Sequence, residues 1–486
     1  MVECAKKHAI TIIAISLIVV AVVVTVVVVV VVNNKKKQDE DSKTDGGGGD
    51  DDKEEIILTV LKNDSQLKKP NVKLNAEFEY VKMGNNMTGL IISDPYASTF
   101  HIQFSMKYGG YIDTVSGISH FGEHMVLQNC EKYNYLYPIL NMFSNFKNSQ
   151  VNAATAGTFQ MYYITLPFNL YYEKAMDMLT ESFRHPLYSP EIVKNEIQAV
   201  NHEFYDNIDS QDVEENIIRQ LSNSQTSFNG MLCGNNQTII PSESDSLSKK
   251  LKGYHMVIKN PNRIFFTLYS NKTMNESKEI AKKYLNYKMH VFPDNEIDIE
   301  DKKKLEQNLL DIESKEIFDD KLYKHGFYYN TKNKINILQI YYYIGNAELK
   351  NLKFNIIEYT GYLLKSESLM KILIDRNYIL MDERISAAGD ITLDNNIYFK
   401  IPLLLTDHGF ENIKDILIII NKYMNMIKEE GYKQEYFNDY VKYSHNTMIL
   451  NFNKASTFNR NTYLSMCLNK KYINAEDILY MENLRK

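Results

Sequence analysis

Between residues 98 and 108, Phe100, Ile102, Phe104 and Met106 alternate with smaller or polar side chains, the period of two expected of a strand. A second strand is expected over 88–94, and Gly109-Gly110 punctuates the end of this strand region. Helical periodicity follows at about 117–130, 134–146 and 168–184, with strands over 158–167 and 263–270. The helix over 190–206 has the clearest start: Ser189 suits the N-cap, Pro190 the first helical position and Glu191 the first turn. A charged stretch at 291–320, low in aromatics, reads as an interdomain connection with some helix. The pattern then resumes with a strand at 337–344, helices at 350–364 and 367–376, strands near 380–388 and 396–405, and long helices over 410–430 and 433–452. Strand, helices, strands, helices thus occurs twice. That order suggests an α+β chain of two domains with one architecture, although no direct sequence repeat is visible.

Ahead of this body lies a different pattern. Residues 9–32 are 24 uncharged, mostly β-branched positions. As a helix they would span ~36 Å, enough to cross a hydrocarbon core of ~30 Å with some tilt. A soluble core helix is not apolar on every face for so long. A cleavable signal has an apolar region about half this length that ends in small residues, whereas this one runs into Asn33-Asn34 and three lysines. The segment therefore reads as an uncleaved, single-pass anchor. Lysines flank it on both sides, so its orientation stays open. Sequons at Asn63, Asn86, Asn236, Asn271 and Asn275 fit an extracytoplasmic body, but a chain this rich in Asn produces about as many by chance. Residues 1–8 form a short tail in which Cys4 could carry a palmitoyl group. Residues 33–55, acidic with Gly46 to Gly49, cannot bury apolar surface and read as a disordered linker.

Charge changes the picture only locally. The net charge of −6 divides into +4 over residues 1–37, −7 over 38–55 and −3 over the remainder, so the body is nearly balanced and lacks the basic footprint of a nucleic-acid binder. The four cysteines are far apart with no C-x-x-C pair, which indicates neither a disulfide framework nor a cysteine zinc site.

The chemistry concentrates in His120-Phe121-Gly122-Glu123-His124. Residues four apart share a helix face, so His120 and His124 can converge on one metal ion. Glu123, at the edge of that face, can reach a metal-bound water without being a ligand. A catalytic zinc takes three protein ligands and leaves a fourth position to water. Glu196 and Glu203 are seven apart on the 190–206 helix and lie on one face, so either could supply the third ligand if the two helices pack together. His202 is a weaker candidate, ~100° around the helix from Glu203.

His120-Phe121-Gly122-Glu123-His124-Met125, with Glu203 lying 79 residues beyond His124, resembles the pitrilysin/insulinase (M16, inverzincin) family of metallopeptidases. Residues 92–95, 149–163 and 184–203 are similar to further segments of that family, and the resemblance covers about 57–480. It implies a fold of two homologous domains, each a mixed β-sheet covered by helices (LuxS/mitochondrial-processing-peptidase-like), here preceded by the membrane helix. It implies one Zn2+ per chain held by His120, His124 and Glu203, with Glu123 as general base. Glu196 matches an acidic residue that supports the site without binding metal. Asn152 and Ala153 match an edge strand onto which an extended peptide substrate adds. Residues 56–290 would be the catalytic domain and 321–486 a second, similar domain, incomplete at its C-terminal end.

Departures from the family pattern bear on function. Gln128-Asn129-Cys130 replaces the usual aromatic-x-Gly at the helix exit, and residues 364–369 lack the glycines of a turn in the second domain. Nothing matches the second pair of domains found in long members, whose place a partner chain could take. The resemblance thus implies a membrane-anchored zinc metalloendopeptidase acting on unfolded peptides. The alternative is a non-catalytic subunit that binds peptides or supports an active partner.

Overall fold

The structure, a computed structural model, describes residues 9–14, 57–69, 75–143, 146–167, 171–207, 212–223, 226–314, 325–330, 336–346, 359–364, 367–380, 388–393, 396–431, 433–454 and 479. In chain order the strands are β1 (Ala9–Ala14), β2 (Leu58–Lys62), β3 (Glu77–Met83), β4 (Thr88–Ser93), β5 (Thr99–Met106), β6 (Gln150–Thr155), β7 (Gln160–Pro167), β8 (Ile264–Ser270), β9 (His325–Asn330), β10 (Asn336–Asn346), β11 (Ala388–Leu393) and β12 (Asn396–Leu405). The helices are α1 (Ile118–Val126), α2 (Pro138–Phe143), α3 (Tyr172–Arg184), α4 (Pro190–Asn207), α5 (Asp212–Leu221), α6 (Ser244–Ile258), α7 (Met274–Leu285), α8 (Ile299–Ser314), α9 (Glu367–Asp375), α10 (Asp407–Glu411), α11 (Ile413–Glu430) and α12 (Gln434–Lys454).

Strands β2-β3-β4-β8-β5-β7-β6 form a seven-stranded sheet in that order. Its neighbours are antiparallel except β4 and β8. Phe100, Ile102, Phe104 and Met106 of β5 enter the main core together with Tyr162, Ile164 and Leu166 of β7 and Phe183 of α3. The polar residues between them, His101, Gln103 and Ser105, are buried as well. His101 Nδ1 lies 2.8 Å from Thr165 Oγ1 of β7, and Gln103 Nε2 donates to Ser105 Oγ at 3.1 Å. Burial pushes the His101 imidazole down to about 3, so it is neutral. Residues 291–320, expected as a connection, contain α8, whose Leu305, Leu309 and Ile312 join this first core.

The second sheet has the order β11-β12-β10-β1-β9. Leu338 and Ile340 of β10 and Ile401 and Leu403 of β12 pack with Leu369 and Leu373 of α9 and Ile416 and Ile420 of α11. Strand β1 pairs parallel with β10 and antiparallel with β9. Ala9–Ala14 is thus a strand here, which leaves the expected membrane helix unconfirmed. The same β-branched isoleucines that make the segment apolar also favour extended backbone. Residues 15–32 of the expected anchor, and the 33–55 linker, lie outside the described residues. Among the described residues no helix is long and apolar enough to cross a membrane.

Candidate metal centre

Helix α1 follows β5 after the connection over 107–117 and packs against β6, α4 and α6. Its start is fixed by Asp113, whose Oδ2 accepts from the Gly117 and Ser119 amides at 3.1 and 3.4 Å while Ser119 Oγ donates to Oδ1. That satisfies amides which have no partner within the helix. Burial pushes the Asp113 carboxyl up to about 7, against the opposing pull of these bonds. The helix is shorter than expected, ending at Val126. Beyond it, Cys130 bridges to Pro186 rather than continuing the helix.

On α1, the rings of His120 and His124 stand 4.8 Å apart. Helix α4 places Glu203 opposite them, with Oε1 3.6 Å from His120 Nε2 and Oε2 3.3 Å from His124 Nε2. Among the described residues this is the one cluster of three His, Cys, Asp or Glu side chains able to share an ion, its donor atoms all within 4.8 Å of one another. Of the two carboxylates the spacing left open, Glu203 faces both Nε2 atoms. Glu196 faces His124 from the other side: its Oε1 accepts from Nδ1 at 2.8 Å. His202 is exposed and lies outside the cluster.

These contacts define the donor chemistry. A carbonyl oxygen can only accept, so the 3.0 Å contact of His120 Nδ1 with the Cys233 carbonyl places the ring proton on Nδ1. His124 Nδ1 is likewise committed to Glu196. Both Nε2 atoms then face Glu203. Ligands ~2.0–2.1 Å from a tetrahedral zinc sit about 3.3 Å from one another; the 3.3 and 3.6 Å separations to the two Glu203 oxygens are close to that, within a donor set that lies inside 4.8 Å. The residues present therefore fit zinc. Without metal, burial would lower the His124 pKa, but Glu196 and Glu203 outweigh it and push it up to about 9. Hydrogen bonds from both histidines hold the Glu203 carboxylate well below its usual range.

Glu123 is buried beside the two histidines. Thr155 Oγ1 of β6 donates to its Oε2 at 2.6 Å. Tyr137 donates to Glu196 Oε2 at 2.9 Å, from a backbone held at φ +50°, a left-handed conformation that is unusual for a bulky residue. No spacing in the sequence marks Thr155, Tyr137 or Cys233 as part of the site. Strand β6, carrying Asn152 and Ala153, is the last strand of the seven-stranded sheet beside α1. Asn152 is exposed there and Ala153 buried. Beneath the site, Lys259 is fully buried and donates to Gln160 Oε1 at 3.2 Å. Gln160 Nε2 in turn donates to the Ser119 carbonyl of α1 at 2.6 Å.

Residues 90–234 match the family model described as Insulinase (Peptidase family M16). The A-factor-processing enzyme of Saccharomyces cerevisiae is 22% identical over 428 residues, covering 84% of this chain and 39% of that protein. The insulin-degrading enzyme of Drosophila melanogaster is 22% identical over 384 residues, covering 75% of this chain and 36% of that protein. Among solved structures, pitrilysin superposes with a TM-score of 0.70 at 20% identity, covering 88% of this chain and 44% of that one. The chain thus spans less than two fifths of the length of these curated relatives. The matched stretch contains the histidine helix, Glu196 and Glu203, and over it the chain is similar to the insulinase family, peptidase family M16.

Proposed function

We propose that this chain is a zinc metalloendopeptidase in which His120, His124 and Glu203 hold one zinc ion and Glu123 is the general base. The observation that carries the reading is the convergence of two Nε2 atoms and one carboxylate on a single point, with both Nδ1 atoms already committed elsewhere. When bound, zinc supplies Lewis acidity and makes water acidic enough to lose a proton near pH 7. Thr155 holds Glu123 Oε2, which leaves Oε1 to take a proton from the attacking water and pass it to the departing amine. Glu196, itself held by Tyr137, fixes the ring of His124. The edge strand carrying Asn152 and Ala153 would take an extended, unfolded peptide as an added strand through main-chain hydrogen bonds, tolerant of sequence. We further propose that residues 9–32 anchor the chain in a membrane.

Glu123→Gln keeps the size and loses the base. It should cut peptide hydrolysis at least ~100-fold while zinc content stays at the wild-type level. Wild-type protein that binds zinc yet cleaves no unfolded peptide would favour the non-catalytic alternative. Hydrolysis that survives Glu123→Gln would remove Glu123 from the role given to it.

A further inference from the structure

The two ligand-bearing helices are also joined by a loop that neither the histidine motif nor the glutamates reveal. The Cys233 carbonyl accepts from His120 Nδ1 at 3.0 Å, and a backbone carbonyl goes where its loop goes. That loop lies directly on the start of α1. Gly234, at φ +75°, meets Gly117, at φ +85°, so closely that a Cβ on Gly117 would fall 2.4 Å from Gly234 Cα and 2.6 Å from the Cys233 oxygen. Within the loop, Asn235 Oδ1 accepts from the amides of Gln237 and Thr238 at 2.9 and 3.2 Å, and the Asn235 amide donates to Thr238 Oγ1 at 3.0 Å. Ile239, fully buried, ties its far end to the core. A last bond reaches the other helix: the Asn236 amide donates at 3.1 Å to Oδ1 of Asn201, a buried residue of α4.

We propose that Asn201 is a positioning residue, and that the 233–238 loop is a clamp setting the spacing between the helix carrying both histidines and the helix carrying Glu203. The proposal rests on the zinc reading above. Asn201 is about 200° around α4 from Glu203, so it grips the helix from the side away from the ligand. Helix α4 therefore orients His124 directly through Glu196, and His120 indirectly through Asn201 and the loop.

The test uses the full chain, with zinc affinity measured by chelator competition and the visible spectrum of the cobalt-substituted protein as a second readout. Asn201→Ala removes the acceptor and should weaken zinc binding ~10–100-fold and alter the cobalt spectrum, because both report ligand placement. Asn201→Asp retains Oδ1 and should stay within about threefold of wild type. If Asn201→Ala does not fold, Asn201→Ser carries the same comparison, its hydroxyl being too short to make the 3.1 Å contact. Wild-type affinity and an unchanged cobalt spectrum in Asn201→Ala or Asn201→Ser would overturn the clamp while leaving the zinc site standing. Equal losses in the Ala and Asp variants would overturn it too. A wild-type chain that binds neither zinc nor cobalt overturns both this proposal and the reading beneath it.

Discussion

Lys259 carries its ammonium group into the interior, against the rings of Tyr162 and Tyr254 and with Gln160 as its hydrogen-bond partner. Burial pushes its pKa down to about 7, only partly opposed by the negative charge of Glu123. The sign of the consequence follows from proton counting. Between about 7 and the usual 10.5 the unfolded chain binds a proton that the folded protein does not, so this residue makes stability rise with pH across that window. Below about 7 its destabilising effect is complete. Lys259→Met removes the titration, so metal-free wild type should gain stability relative to the variant as pH rises from 7 to 10. Urea midpoints of both proteins across that range would show it; a constant difference would mean that Lys259 keeps an ordinary pKa. Comparing the two proteins cancels the opposite trend from His124, whose raised pKa gives stability that fades as pH climbs through about 9.

At the scale of elements, the start of α1 depends on two backbones touching. Gly117→Ala would put a side chain at φ +85° and into the Gly234 backbone, so it should cost at least ~1–2 kcal/mol and lower the thermal midpoint. An unchanged midpoint would show that the contact is loose. How far these elements were legible depended on whether their causes were local. Helix α4 was read almost to its observed ends because Ser189, Pro190 and Glu191 mark its start within three residues. Helix α1 was read too long, since what stops it is the bridge of Cys130 to Pro186, a partner far along the chain. The histidine pair was legible because helix geometry alone brings positions four apart together. Thr155, Tyr137 and Cys233 act across 32, 59 and 113 residues on Glu123, Glu196 and His120 respectively, and no periodicity reports such contacts. The burial of His101, Gln103 and Ser105 is not legible in the sequence, which shows polarity but not packing.

For the whole molecule, residues 9–14 have two competing fates. They can lie between β9 and β10, or they can be the first turns of a membrane helix, but not both at once. The apolar run of 24 residues is far longer than a six-residue strand requires, so the full chain should remain in the membrane pellet after alkaline carbonate extraction. Release into the supernatant would favour the strand. The central claim concerns the metal. Full-length protein stripped with a chelator should cleave no unfolded peptide. On titration it should take up one zinc per chain, and cleavage should return in proportion to the zinc bound. Cleavage that persists in the stripped protein, or a chain that takes up no stoichiometric zinc, would contradict the account.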